Sequence, residues 1–255
     1  MNGFGFASLT FVCTFGAALL ATVVRSWLPP AHLTKESQDV VRLGIGLVAT
    51  MTALLLGLVT ASARGTFDAQ DAAIRNSAAN ILTLDRHLAQ YGEETKPTRE
   101  LIRRVVAYRI ETLWPSDGSR NTSSLLDDAM VTPPIEEIQD QILALTPQTD
   151  TQRWLKTEAL KLTDEVVRTR WRVLGSAAGS VPRPFLGVVI FWLTVTFASF
   201  GLYAPRNATV LFVLLVASAS VAAAVFLILE LDNPFDGIIR VSAAPLQYAL
   251  THLGQ

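Results

Sequence analysis

Residues 43–63 read LGIGLVATMTALLLGLVTASA, an uncharged run bounded by Arg42 and Arg64. At about 1.5 Å per residue, a helix of that length covers the roughly 30 Å hydrocarbon core of a bilayer. Three more stretches are free of charge and similarly long: 1–24, 184–205 and 207–229. The chain has 255 residues and 43 charged side chains, of which 32 fall between Gly65 and Arg183. The other 136 residues carry only 11. This segregation excludes a soluble enzyme built on one core. A net charge of −1 with no basic domain excludes a nucleic-acid binder. The single cysteine, Cys13, rules out an intrachain disulfide.

The runs predict helices over about 4–28, 40–63, 184–203 and 208–231. Pro29 and Pro30 stop the first, and Pro184 suits the first position of the third. The first run has no Lys or Arg ahead of Arg25, so it reads as a retained helix rather than a signal peptide. Two membrane hairpins (1–64 and 184–232) then flank a helical domain (65–183), and a motif with a short helix follows (233–255). Four crossings put both termini and the domain on one side. Arg25, Lys35, Arg42 and Arg206 fall on the other, against 17 basic residues on the domain side. The positive-inside rule makes that side cytoplasmic.

Residues 65–183 show helical periodicity and no strand-like alternation. Ile74, Ala78, Ile81, Leu84, Leu88 and Tyr91 share one face, ending at Gly92 or at Lys96-Pro97. Leu101, Ile102, Val105, Val106, Ile110 and Leu113 share another, up to Trp114-Pro115, before a polar loop at 116–122. Ile135, Ile138, Ile142 and Leu145 mark a short helix with Glu136 and Glu137 in its first turn, where the dipole favours acids. Asp150 or Thr151 then caps a long helix with Trp154, Leu155, Val166, Val167, Trp171 and Leu174 on its apolar positions. The resulting bundle is either a self-association domain or simply solvated.

Catalytic signatures are missing. There is no phosphate loop, no G-x-S-x-G, no H-E-x-x-H and no C-x-x-C. His32, His87 and His252 are scattered. Asp85, His87, Glu93 and Glu94 read as a solvated helix face rather than a metal cluster. No metal, cofactor or enzymatic activity is expected. No membrane segment holds an Asp, Glu, Lys, Arg or His at mid-depth, which disfavours a proton-driven or ion-coupled pump.

The second segment is two-faced. At about 100° per residue, Asp39, Gly46, Thr50, Ala53, Gly57, Ala61, Arg64 and Asp68 fall on one stripe, flanked by Thr60. Leu47, Val48, Met51, Leu55 and Val59 fall opposite. A ladder of small residues can pack against a neighbouring helix. It can equally line a water-filled pore between several copies, with terminal charges concentrating ions.

The sharpest local motif follows the fourth segment: Glu230-Leu231-Asp232-Asn233-Pro234-Phe235-Asp236-Gly237-Ile238-Ile239-Arg240-Val241-Ser242. Pro234 sets a turn and biases Asn233 to extended geometry. Gly237 supplies backbone freedom. Phe235 can plug back into the membrane core, and Glu230 or Asp232 can bridge to Arg64. This tail, with Pro245 and Leu246, resembles a family of mostly bacterial membrane proteins with a bestrophin-like domain. Phe200-Gly201-Leu202, the 205–207 turn and the stretch from Leu54 to Asp68 are similar to it as well. The resemblance implies a distant link to bestrophins, which are pentameric anion channels whose second membrane helix lines the pore. Two departures limit it. Phe235 is followed by Asp236, Gly237, Ile238, Ile239 and Arg240, where two apolar residues and a cation cannot supply the several oxygens that calcium takes. The aromatic neck of the animal channels is replaced by Met51, Leu54, Leu55 and Leu56.

The expectation is an all-α integral membrane protein with four transmembrane helices and a cytosolic helical domain between helices 2 and 3. It is expected to act as a homo-oligomeric passive ion channel in contact with membrane lipids and permeant inorganic ions, a pentamer by resemblance. Its pore is expected along Asp39, Gly46, Thr50, Ala53, Gly57, Thr60, Ala61 and Arg64. Asp68, Glu230, Asp232, Pro234, Phe235 and Gly237 are expected at the inner mouth. The alternative is a non-conducting scaffold or sensor subunit whose helical domain binds a partner.

Overall fold

The computed structural model describes residues 3–29, 34–115, 135–176, 183–205, 207–235 and 237–255. Pro30, His32, the 116–122 loop, Arg206, Asp236 and the side chain of Leu174 lie outside the described residues. Among the described residues all regular structure is helical, and four helices are long and apolar enough to cross a membrane. The chain forms two compact units, residues 1–67 with 179–239 and residues 68–178 with 240–255.

The first unit holds α1 (Gly3–Val24), the first part of α2 (Lys35–Tyr91), α6 (Arg183–Tyr203) and α7 (Ala208–Asp232). Helix α1 packs on both α6 and α7. Ala18, Phe197 and Leu214 form one buried cluster, and Leu186, Ile190 and Val225 another. The backbones of α1 and α6 meet at Gly201, where an added Cβ would stand 2.0 Å from the Ala18 carbonyl oxygen. Only glycine allows that approach. Thr10 and Thr14 are buried in α1 and donate to the carbonyls of Phe6 and Thr10, each at 2.8 Å, so their hydroxyls are satisfied without water. Asn207 caps α7 by accepting from the Val210 N–H at 2.8 Å.

The second unit holds the remainder of α2, then α3 (Lys96–Leu113), α4 (Ile135–Ala144), α5 (Asp150–Ser176) and α8 (Ala244–His252). Its core contains Ile74, Ala78, Ile81, Leu84, Leu88 and Tyr91 from α2, with Leu101, Ile102, Val105 and Val106 from α3. Ile135, Ile138 and Ile142 of α4 and Leu155, Ala159 and Val166 of α5 join them. Lys156 donates to the carbonyls of Leu143 and Leu145 at 2.8 and 2.9 Å, closing the C-terminal end of α4. Leu246, Ala249 and Leu253 of the returning tail are buried, and the Trp114 indole donates to the Val241 carbonyl at 2.9 Å.

The structure departs from the sequence reading at three places. Helix α2 continues through residue 64 to Tyr91, because a change from apolar to charged residues is not a helix stop and no proline intervenes. It ends at Gly92, whose φ of 147° suits glycine. Trp154 and Trp171 are 57% and 62% exposed rather than on the core face of α5; Leu155, Ala159, Thr163 and Val166 form that face. Asp85 is 2% exposed, not solvated, and bonds to Arg99.

Candidate functional site

In the first unit, α2 buries only a narrow stripe. Thr52, Val59 and Ala63 are buried, and Val59 and Ala63 pack with Ile228, Leu56 and Leu231. Every candidate on the small-residue stripe is exposed: Asp39, Gly46, Thr50, Ala53, Gly57, Thr60, Ala61 and Arg64. A Cβ built on Gly46 or Gly57 meets nothing within 4 Å. Among the described residues, then, nothing packs against the two glycines of the ladder. The hydroxyls of Thr50 and Thr60 donate back to the carbonyls of Gly46 (2.9 Å) and Leu56 (2.6 Å). Their remaining lone pairs face outward, so the stripe is weakly polar rather than strongly hydrated.

A second exposed stripe lies beside the first and includes Leu47 and Met51, which are expected across the helix. Val40, Leu43, Leu47, Met51, Leu54 and Leu58 are all exposed, Leu54 at 71%. Their spacing of three and four is the signature of an apolar seam. About 100° per residue puts this stripe one sector round from Gly46 and Gly57, with Thr52, Val59 and Ala63 on the far side of both.

The motif after α7 forms a closed loop. Glu230 is buried, and its Oε2 accepts from the Ile238 N–H at 2.6 Å and more weakly from the Ile239 N–H at 3.4 Å. Successive N–H groups converging on one carboxylate make a strong acceptor site. Gly237, at φ 89°, turns the chain back onto that carboxylate; a Cβ there would stand 2.2 Å from Glu230 Oε2. Pro234 and Phe235 are buried, as is Asp232, and the Asn233 side chain donates to the Leu229 carbonyl at 2.9 Å. Glu230 therefore holds its own loop. Asp68 is exposed and belongs to the second unit's part of α2.

Among the described residues, no three His, Cys, Asp or Glu side chains gather as a metal site. Glu93 pairs with Lys96, and the His87 ring tilts against Trp154 with centroids 5.5 Å apart.

Four helices apolar enough to cross a membrane, a second helical unit and a buried-acid loop after α7 define a helical membrane protein. Residues 12–246 match the bestrophin-like domain, and the chain belongs to that family. A crystal structure of a bacterial bestrophin homolog from Klebsiella pneumoniae, phased by Zn-SAD, is similar with a TM-score of 0.66 at 16% identity, covering 96% of each chain. A tryptophan-to-alanine variant of a homolog from the same organism gives 0.65 at 17% identity, over 97% of this chain and 95% of that one. At such identities the likeness speaks for the fold alone. No curated protein matches the sequence.

Proposed function

We propose that the protein is a homo-oligomeric channel that conducts ions passively through a central pore lined by α2. One observation carries the reading: on α2 the small, weakly polar residues of the charge-free run 43–63 are exposed, with Asp39 and Arg64 at the ends of their stripe and open space at Gly46 and Gly57. Such a stripe facing an axis between copies leaves room for water, with charges at both ends. The neighbouring stripe of Leu43, Leu47, Leu54 and Leu58 then faces the next copy, burying apolar groups that a single chain leaves open. The bestrophin link supports a pentamer and anions; Asp39 and Asp68 would favour cations if they face the path. The excess of Lys and Arg on the side of the helical unit supports a cytoplasmic position for it in a bacterial inner membrane. The buried acid Glu230 holds the loop after α7, at the expected inner mouth.

Reversal potential of the purified oligomer in planar bilayers under a KCl gradient tests the proposal. A current reversing near the chloride or the potassium equilibrium value establishes conduction and the sign of the ion. Silence from a folded oligomer, across voltage and pH, turns the case to a scaffold that binds a partner.

A further inference from the structure

Between Val166 and Arg183 the chain has four arginines and no acid. The other junctions between the two units differ. Arg64 and Arg75 are balanced by Asp68 and Asp71, and Arg240 is outnumbered by Glu230, Asp232 and Asp236. On α5, Arg168, Trp171 and Arg172 stand at i, i+3 and i+4, on one face, and all three are exposed. Arg172 lies eleven residues before Arg183, where the third membrane helix starts. The other exposed tryptophan of α5, Trp154, has Asp150 and Glu158 one turn to either side and no such cluster of arginines.

We propose that this face of α5 binds the headgroups of anionic phospholipids. The indole is amphipathic and suits the headgroup layer. Two guanidinium groups a turn apart supply the charge that phosphate needs, and arginine binds phosphate through two parallel hydrogen bonds. Arg168 pairs with Asp164 at 2.9 Å, but both groups are well exposed, so the pair is weak and a phosphate can replace the carboxylate. The proposal rests on the membrane location of the chain, and it stands whether or not the chain conducts.

The test uses the full-length protein in phosphatidylcholine nanodiscs with a rising fraction of phosphatidylglycerol, the lipids carrying brominated acyl chains. The fluorescence of Trp171 is the difference between the wild type and Trp171→Phe. The expected result is lipid quenching of Trp171 that requires phosphatidylglycerol and fades in high salt. Arg168→Gln and Arg172→Gln should each raise the half-effect fraction about fivefold. A Trp171 open to acrylamide and unquenched by lipid at every composition overturns the proposal in favour of a solvated face. One shielded from both quenchers overturns it in favour of burial against another copy.

Discussion

Asp85 and Arg99 are joined by two hydrogen bonds, Nε to Oδ1 at 2.7 Å and Nη2 to Oδ2 at 2.9 Å, across the turn between α2 and α3. The Gly254 N–H also donates to Asp85 Oδ2 at 3.3 Å, and Arg86 and Arg99 both reach the Gln255 main-chain oxygen at 3.4 Å. One buried carboxylate thus organises the end of α2, the start of α3 and the tail beyond α8. The hydrogen bond to Asp85 raises the pKa of the Arg99 guanidinium above its ordinary value.

Removing either partner of this pair strands the other in a nearly dry site. Arg99→Met and Asp85→Leu are each expected to cost about 3–5 kcal/mol, with the double variant recovering much of the loss. Thermal unfolding of the three variants checks this; additive losses would deny the coupling.

Glu230→Gln keeps the size of the side chain but loses the charge that receives the Ile238 N–H. A loss of about 1.5–3 kcal/mol is expected. Gly237→Ala should do at least as much harm, since it adds a clash to a positive φ. Proteolysis between residues 233 and 239, rising in both variants, is the measurement.

Glycine should matter differently on two helices. Gly201→Ala drives a methyl into the Ala18 carbonyl and is expected to destabilise the single chain by about 1–3 kcal/mol. Gly57→Ala fills open space and removes a helix-weakening residue, so chain stability should hold or rise. Its effect should show in conductance or oligomer size. Equal destabilisation by both would remove the case for an open stripe.

Asp39→Asn and Arg64→Gln neutralise the two ends of that stripe. In a conducting oligomer each should shift the reversal potential, in opposite directions, under a fixed salt gradient. Unchanged selectivity in both would place these charges away from the ion path.

Arg109, half-buried beside Arg170, has its pKa lowered to about 10 by burial first and by that second guanidinium. It stays charged at neutral pH. Because the folded value lies below that of an ordinary arginine, the cost of the charge is fully present below pH 10 and is relieved as the pH rises further. Arg109→Met should therefore raise the melting temperature at pH 8, by an amount that shrinks above pH 10.

The membrane helices were legible because length and absence of charge are enough to recognise a span. The end of α3 was legible from Pro115, and α4 from its helix periodicity. The continuity of α2 was not, since its charge pattern changes at Arg64 while its backbone does not. Asp85 was misread because its partner lies fourteen residues away, beyond a turn. The core face of α5 uses Ala159 and Thr163, which a count of large apolar residues ignores in favour of Trp154 and Trp171. Gly237 announced a turn, but that the turn closes on Glu230 depends on two N–H groups that every sequence has. The small stripe of α2 was readable as a pattern; the leucine stripe beside it gained meaning only when both proved uncovered.

The membership of residues 240–255 in the second unit bears on the order of synthesis. The ribosome delivers α2 to α5 first, then both helices of the second membrane hairpin, and only afterwards the segment that covers Asp85 and docks on Trp114. A fragment cut to 65–183 lacks that cover. Completion of the helical unit therefore reports that all four spans have already been made.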